Sequence, residues 1–126
     1  MQVQYCDNII RHQNNEQYSL IGIYEGEYRI AAPTAVIPQI CLNIVLPLKP
    51  EDLDDVENME IEIAVSDNVL MRFNLPPKPD YHRPPQFSLL IQPILNNITV
   101  IQGDKIHVRI TRQNQTVARS TVLNIV

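Results

Sequence analysis

Apolar and polar residues alternate along several stretches of the chain, and this pattern predicts β-strands. In the clearest stretch, residues 105–111, aliphatic side chains alternate with lysine, histidine and arginine. The same period of two recurs over residues 58–65 and 69–75, with a polar hairpin turn at 66–68 between them. Such alternation places the apolar side chains, here including Val69, against a core and the polar ones in water. These stretches therefore predict strands with one buried face.

The remaining apolar runs predict further strands, separated by turns rich in proline, asparagine and aspartate. The run 18–30 is apolar on both faces in its middle, which indicates a central strand, and Gly22 and Gly26 predict a bulge or a bend. Pro33 and Pro38 are expected to bracket a connecting segment. The other predicted strands cover residues 2–6, 39–46, 87–91 and 116–126, and residues 98–101 are a candidate for one more short strand.

Length and composition favour one all-β domain. The chain has 126 residues, with ten prolines and three glycines, and proline in sheets is confined to edges, breaks and loops. We therefore expect Pro93 at an edge or a break, and one short helical turn near residues 50–56, where proline and carboxylates suit a helix start. The predicted fold is a single-domain, two-layer antiparallel β-sandwich over residues 1–126, Ig-like or similar, with seven or eight strands. A small barrel is the alternative.

The net charge of −4 conceals an uneven distribution along the chain. Residues 1–63 hold three Lys or Arg and eleven Asp or Glu, whereas residues 64–126 hold seven and three. These charges can be solvated or attract each other across the sandwich, or they can form a basic face that meets an acidic partner. The candidates for that face are Lys105, Arg109, Arg112 and Arg119. A surplus of this size, without interleaved aromatic residues, does not indicate a nucleic-acid partner.

The two cysteines, Cys6 and Cys41, bear on the compartment in which the protein works. A single disulfide between strands is typical of exported domains. The N-terminus, however, has neither the basic nor the apolar region of an export signal. No apolar run approaches the length of a membrane span. The sequence therefore predicts a cytosolic protein with two free thiols that pack as small hydrophobes.

Three N-terminal segments resemble a protein family. They are residues 3–7, residues 18–26 and the proline-punctuated strand 38–45. Together they resemble an uncharacterised family of small bacterial all-β proteins, some of them encoded near phage-derived or mobile genes. In that family a strand, a variable turn and a Ser-Leu-x-Gly-Ile/Phe strand open the chain, and a β-hairpin ends it. The resemblance implies a bacterial, non-secreted all-β protein, and it carries over no functional residue because the family has no known activity.

No group of residues has the spacing that catalysis or metal binding requires. The three histidines, His12, His82 and His107, lack the paired spacing of a zinc site. The acidic run 51–57 lacks the EF-hand pattern and suits a helix start better than a calcium site. Neither the serines nor Cys6 has an activating base nearby, and the glycines are too far apart for a phosphate loop. The sequence therefore predicts no enzyme, no metal and no cofactor.

The proline-rich loop 76–85 is the most distinctive segment. Its first four residues have the form PxxP, and Tyr81, His82 and Arg83 follow. A loop held by prolines loses little entropy on binding, and tyrosine and arginine are frequent interface anchors. The alternative is a crossover between sheets whose prolines protect an edge strand. The loop also departs from the pattern of the family that the chain resembles.

The leading functional hypothesis is a non-catalytic, cytosolic module that binds another protein, either a host or phage protein or an identical subunit. The predicted contact residues, for loop recognition and electrostatic steering, are Tyr81, His82, Arg83, Lys105, Arg109 and Arg119. A second hypothesis is a self-assembling structural subunit of a phage-like assembly, in which edge strands pair between copies of the chain. A third is a sandwich that binds a small ligand or calcium. We expect neither a nucleic-acid nor a membrane partner.

Three tyrosines offer a possible second surface. Tyr18, Tyr24 and Tyr28 are all even-numbered and are predicted to share one face of the second strand. Packing in the core is the simpler interpretation. If that face is open, the tyrosines form an aromatic patch for a protein partner or a second copy of the chain.

Overall fold

Two β-sheets form the structure and face each other across an apolar core. The computed structural model describes residues 1–13, 17–49, 56–75 and 87–126. In these ranges the chain forms one 3-10 turn, Val56–Asn58, and eleven strands. The strands are β1 Gln2–Arg11, β2 Tyr18–Tyr24, β3 Glu27–Tyr28, β4 Thr34–Leu48, β5 Met59–Val65, β6 Asn68–Asn74, β7 Phe87–Ile91, β8 Ile94–Ile101, β9 Lys105–Arg112, β10 Gln115–Arg119 and β11 Leu123–Ile125. The all-β prediction is confirmed, and the predicted helical turn falls mostly on residues 50–55, outside the described ranges.

The first sheet has the order β2-β1-β4, with β7 and β8 both paired to the far side of β4. The second sheet has the order β3-β11-β9-β5-β6, with β10 also paired to β9. All pairs are antiparallel except β3 with β11, which is parallel. The purely antiparallel sandwich that we expected is therefore wrong at this one short pair, where the C-terminal strand brings β3 into the second sheet.

The strand count exceeds the prediction because two predicted strands are each split, residues 18–30 into β2 and β3 and residues 116–126 into β10 and β11. In the first sheet the partner of β4 breaks at Pro93, as predicted, and Leu42 N donates to the Pro93 carbonyl at 3.0 Å. In the second sheet the predicted strand 116–126 breaks between β10 and β11. There the Ser120 hydroxyl accepts from Val108 N at 2.9 Å and replaces a ladder hydrogen bond. At each break an amide of the longer partner strand therefore keeps a hydrogen-bond partner.

The core is built from the inward-facing residues of both sheets. The alternation in β9 is confirmed, since Ile106, Val108 and Ile110 are fully buried. Tyr5 crosses from the first sheet to the second, where its hydroxyl donates to the Thr121 carbonyl at 2.8 Å. Burial raises the pKa of the Tyr5 phenol. The largest fully buried side chains are Ile37, Ile40, Leu42, Ile44, Ile61, Ile63, Val100, Val108, Ile106, Ile110, Leu123 and Ile125.

The prediction that residues 18–30 form a central strand is wrong. The segment is split into β2 and β3, and β2 pairs with β1 on one side only among the described strands. Its outward residues Ile21 and Ile23 are about half exposed, which explains why the segment appeared apolar on both faces. Strand β2 keeps its register with β1 across Gly22. Gly22 has φ of +69°, and a Cβ at this position would overlap the Asp7 carboxylate. Close approach, rather than a bulge, explains this glycine.

The predicted connection between Pro33 and Pro38 is also wrong, because β4 starts at Thr34 and continues through the second proline. Ile37 and Ile40 are both buried, so the inward-facing phase shifts by one residue between them. The partner strand β8 makes the same shift at Asn97, whose φ is +54°. Since both strands shift together, their register is preserved. A proline is tolerated at this point because the two-residue repeat of the strand is interrupted there.

The hairpin of β5 and β6 is confirmed, with one correction. Met71 and Phe73 pack against the core, as predicted, but Val69 is 39% exposed. The register shifts between Ile63 and Ala64, which makes Leu70 the extra residue of a bulge on β6. One added residue reverses the alternation across the bulge, so Val69 points outward while Met71 and Phe73 point inward.

Candidate functional site: the basic face of the second sheet

The outward surface of the second sheet carries most of the cationic side chains that the sequence analysis selected. We call it the basic face and define it by Arg72, Lys105, His107, Arg109 and Arg119. These residues come from β6, β9 and β10. They share a surface because they alternate with the core residues of their strands. Strand pairing then sets their order across the sheet.

Four charged residues stand side by side in one row of the basic face. Arg72 is opposite Glu62, Glu62 is opposite Arg109, and Arg109 is opposite Arg119. Directly opposed residues in antiparallel strands have neighbouring Cβ atoms on one side of the sheet. The row therefore brings three guanidinium groups and one carboxylate into contact range.

Glu62 organises the middle of this row. Its side chain is 6% exposed, and its Oε1 accepts from Arg72 Nη2 at 2.7 Å and from Arg72 Nε at 2.8 Å. Arg109 Nε donates to the other carboxylate oxygen. Burial pushes the pKa of Glu62 upward, but the hydrogen bonds and charges of Arg109 and Arg72 outweigh burial and hold it below the usual value. The carboxylate is thus ionised at neutral pH and holds both arginines.

The neighbouring part of the basic face is a shallow cavity of about 430 Å³. Lys105, His107 and Arg119 all border it. His107 Nε2 donates to the Ser66 carbonyl at 2.9 Å, which orients the imidazole along the cavity wall. Within the described parts of the chain, the side chains of Lys105 and Arg119 have no hydrogen bond or ion pair. The other residues that line the cavity are Ser66, Asp67, Gly103, Ser120 and Val122.

Two tight turns build the rim of the cavity. Asp104 joins them, since its Oδ1 accepts from the Ser66 hydroxyl at 2.7 Å and its Oδ2 accepts from Ile101 N at 2.9 Å. Ser66 has φ of +51° and Gly103 has φ of +94°, as tight turns require. Asp104 is therefore bound within the turns, whereas Asp67 lines the cavity and lowers its positive charge.

The arrangement can bind an anion. The hydroxyls at its edge are already used, since Ser66 donates to Asp104 and Ser120 donates to the Thr121 carbonyl. Over residues 1–13, 17–49, 56–75 and 87–126, no group of three or more metal-ligating side chains is found. Lys105 and Arg119 remain as the cations that a carboxylate or a phosphate could reach from solvent.

The structure brings together only part of the predicted site. Lys105, Arg109 and Arg119 share the basic face, but Arg109 is bound to Glu62 instead of facing a partner freely. The expectation that Arg112 belongs to this face is wrong. It lies opposite the buried Met59 and borders an opening of about 200 Å³ between the sheets. Tyr81, His82 and Arg83 lie outside the described residues.

Arg72 and Glu62 were missed by the sequence analysis. The predicted hairpin already indicated this pair. The strands on either side of a tight turn place Glu62 and Arg72, which have opposite charges, at directly paired positions. The bulge at Leu70 adds one residue between this pair and the turn, and it brings Arg72 opposite Glu62. The contact of Glu62 with Arg109 spans 47 residues of sequence and depends on the pairing of β5 with β9. No local pattern indicates which distant strand becomes that neighbour.

The prediction that Tyr18, Tyr24 and Tyr28 share one face of a single strand is wrong, because Tyr28 lies in β3 of the second sheet. The rings of Tyr24 and Tyr28 are 4.8 Å apart at 45° and pack against the core. Tyr24 also donates a hydrogen bond to the Asp7 carboxylate. Burial, followed by this hydrogen bond and the charge of Asp7, raises the pKa of Tyr24. Core packing is therefore the role of Tyr24 and Tyr28, and not an open aromatic patch.

Comparison with protein-family models, curated proteins and solved structures found no match. The resemblance of the N-terminal segments to a family of small bacterial proteins therefore stays a prediction. Among the described residues, no helix has the length and apolar character needed to cross a membrane.

Proposed function

We propose that the protein is a non-catalytic, cytosolic binding module that recognises an acidic segment of another protein through the basic face. The observation that carries this proposal is the pair Lys105 and Arg119. Both side chains border the cavity of about 430 Å³ and neither has a side-chain partner among the described residues. Cations with no internal partner are available to an external anion, whereas Arg72 and Arg109 are occupied by Glu62.

Charge favours an acidic protein segment over a polyanion such as nucleic acid. The whole chain has a net charge of −4, so its long-range field repels anions, and only a local contact can attract them. Asp67 at the cavity keeps the local surplus small. Exposed charge pairs contribute about 0.2–1 kcal/mol each and weaken with salt. We therefore expect modest affinity that falls as ionic strength rises.

Peptide binding tests this proposal directly. A fluorescent glutamate-rich peptide and a matched glutamine peptide are titrated with the protein at low and physiological salt, with anisotropy as the readout. The double variant Lys105→Ala with Arg119→Ala should bind the glutamate peptide about tenfold more weakly, a loss of about 1.4 kcal/mol. Arg11→Ala is the matched control, because Arg11 ends β1 in the other sheet and should leave binding unchanged.

Two results would contradict the proposal. Equal binding of the glutamate and glutamine peptides would show that charge is not recognised. An unchanged affinity in the double variant would show that Lys105 and Arg119 do not form the contact. A single-stranded oligonucleotide is included in the same titration, and tighter binding of it than of the acidic peptide would replace the protein partner by nucleic acid.

The loop residues Tyr81, His82 and Arg83 remain a proposed second contact. Tyr81→Ala with Arg83→Ala should keep the fold and weaken the same complex, because tyrosine and arginine are frequent anchors. The circular dichroism spectrum and melting temperature of this variant show whether the fold is kept. If partner binding does not change, the loop is a crossover between sheets.

A second candidate function, a self-assembling subunit of a phage-like assembly, is favoured by the outward surface of the first sheet. Ile21, Ile23 and Ile94 are each about half exposed there. Exposed apolar residues beside an edge strand can pair copies of a chain. Light scattering after size exclusion distinguishes the two functions, since the assembly hypothesis requires a defined oligomer without any added partner. A thermal shift with calcium would instead favour the ligand-binding hypothesis.

A further inference from the structure

The two cysteines lie directly opposite each other on adjacent strands. Cys6 of β1 is paired with Cys41 of β4, so both side chains project from the same side of the first sheet. They occupy the middle of a row that continues outward to Ile23 of β2 and Ile94 of β8. The end residues of this row are 48% and 52% exposed, and both thiols are fully buried between them.

The backbone geometry of this pair suits a disulfide. Directly opposed residues of antiparallel strands have Cα atoms about 4.5 or 5.5 Å apart. Disulfides span Cα separations of about 4.4–6.8 Å. Cys6 Sγ is 3.6 Å from the carbonyl oxygen of Cys41, so the first thiol already points toward the second residue. Rotation of the side chains, rather than movement of the strands, is what bond formation requires.

We propose that Cys6 and Cys41 are an oxidation site that closes a cross-strand disulfide within the first sheet, with a small-molecule disulfide such as oxidised glutathione as the co-reactant. One cysteine thiolate attacks the small disulfide, forms a mixed disulfide and releases one small thiolate. The second cysteine thiolate then attacks the protein sulfur of the mixed disulfide and releases the other. The two protons lost by the cysteines pass to the two released thiolates, and the small disulfide is reduced.

Access to the pair runs past Gln39. This residue is exposed, and its amide Nε2 lies 3.8 Å from Cys41 Sγ while it donates to the Asp7 carbonyl at 3.0 Å. Cys41 Sγ donates to the same carbonyl at 3.7 Å. A long, flexible amide at the protein surface can swing away at little cost, which uncovers Cys41 without opening the core.

The surroundings make the thiols slow to react and the disulfide hard to reduce. Burial, followed by the neighbouring Cys41 thiol and the charge of Asp7, raises the pKa of Cys6 to about 11. Burial also raises the pKa of Cys41. Little thiolate is present at neutral pH, so attack on a small disulfide is slow. A disulfide is easily reduced when the thiolates that reduction produces are stabilised. Here burial destabilises these thiolates, so the disulfide should resist reduction.

The experiment incubates the native protein with excess oxidised glutathione and follows its intact mass, its free thiols and its melting temperature. The expected product has lost two hydrogen atoms and both free thiols, carries no glutathione and runs as a monomer on a non-reducing gel. Its melting temperature should rise by about 5 °C or more, because the cross-link restricts the unfolded chain. Cys6→Ser and Cys41→Ser should each stop at a glutathione adduct or stay unreacted.

Gln39→Ala keeps the proposal falsifiable if the native thiols react too slowly to observe. This variant should form the disulfide at least several-fold faster, since it removes the amide that covers Cys41. The proposal is overturned if the reaction of native protein or Gln39→Ala ends at a stable mixed disulfide. It is equally overturned if the reaction yields a disulfide-linked dimer, or if both proteins keep two free thiols. This outcome does not depend on the binding function of the basic face.

Discussion

The outward surface of each sheet buries a polar side chain between two longer ones, and the two sheets stabilise it in different ways. On the second sheet, Glu62 of β5 is 5% exposed and is held by Arg72 and Arg109 from the strands on either side. On the first sheet, Asn43 of β4 is 3% exposed. It donates to Gln4 of β1 at 3.2 Å and accepts from Gln92, which follows β7, at 2.9 Å.

In both sheets a buried polar side chain stands in a row between two longer polar side chains. The row on the second sheet is charged, and the row on the first sheet is neutral. The charged row binds its carboxylate strongly but loses stability if one charge is removed, because a buried charge without a partner is costly. Removal of the amide from the neutral row should cost less stability, and none of its side chains titrates. The charged row ends at Arg119, whose side chain has no partner among the described residues. That end of the row borders the proposed binding site.

Removal of the charged centre should have the largest effect. Glu62→Ala leaves Arg109 partly buried without its carboxylate and is expected to lower the free energy of unfolding by about 3 kcal/mol. Urea unfolding of this variant and of the wild type measures the difference. A change below about 0.5 kcal/mol would show that water replaces the carboxylate and that the row is not structural.

Acid should remove part of the same stabilisation. The folded-state pKa of Glu62 lies below its unfolded value, so its contribution is complete above the unfolded pKa of about 4.3 and is lost as pH falls through the folded pKa. The stability of the wild type should therefore fall more steeply below about pH 4.5 than that of Glu62→Gln. Parallel urea titrations over this range test it, and identical slopes would contradict a lowered pKa.

Removal of the neutral centre should cost less. Asn43→Ala deletes the amide between Gln4 and Gln92 and is expected to lower the free energy of unfolding by about 1–2 kcal/mol. The loss should not depend on pH between about 3 and 7, since no charge is involved. Urea unfolding at both ends of this range measures it, and a loss as large as that of Glu62→Ala would erase the difference between the two rows.

The smallest effect on stability is expected at the open end of the charged row. Arg119→Ala should change the free energy of unfolding by less than about 0.5 kcal/mol, because the side chain is exposed and has no described partner. Arg109→Ala is the matched comparison, since it has the same residue type in the same row but should destabilise clearly. If both variants were equally stable, the division between structural and binding arginines would be wrong.

Local pattern predicted much of the fold and little of the site. The two-residue alternation located β5, β6 and β9, and Pro93 correctly marked a break. The phase shift at Pro38 and the bulge at Leu70 were not predicted, because each depends on a partner strand that accommodates it. Lys105 and Arg119 were found as charges on an outward face, but their shared cavity was not.

The sequence by itself determined which side chains avoid water, and hence that the chain forms sheets with an inner and an outer face. Only the tertiary structure decided which strands are neighbours. That choice opposes Cys6 to Cys41, brings Glu62 between Arg72 and Arg109, and leaves β2 at an edge among the described strands. The physical reason is that alternation records burial, which is local, whereas strand pairing depends on packing and loop closure across the whole chain.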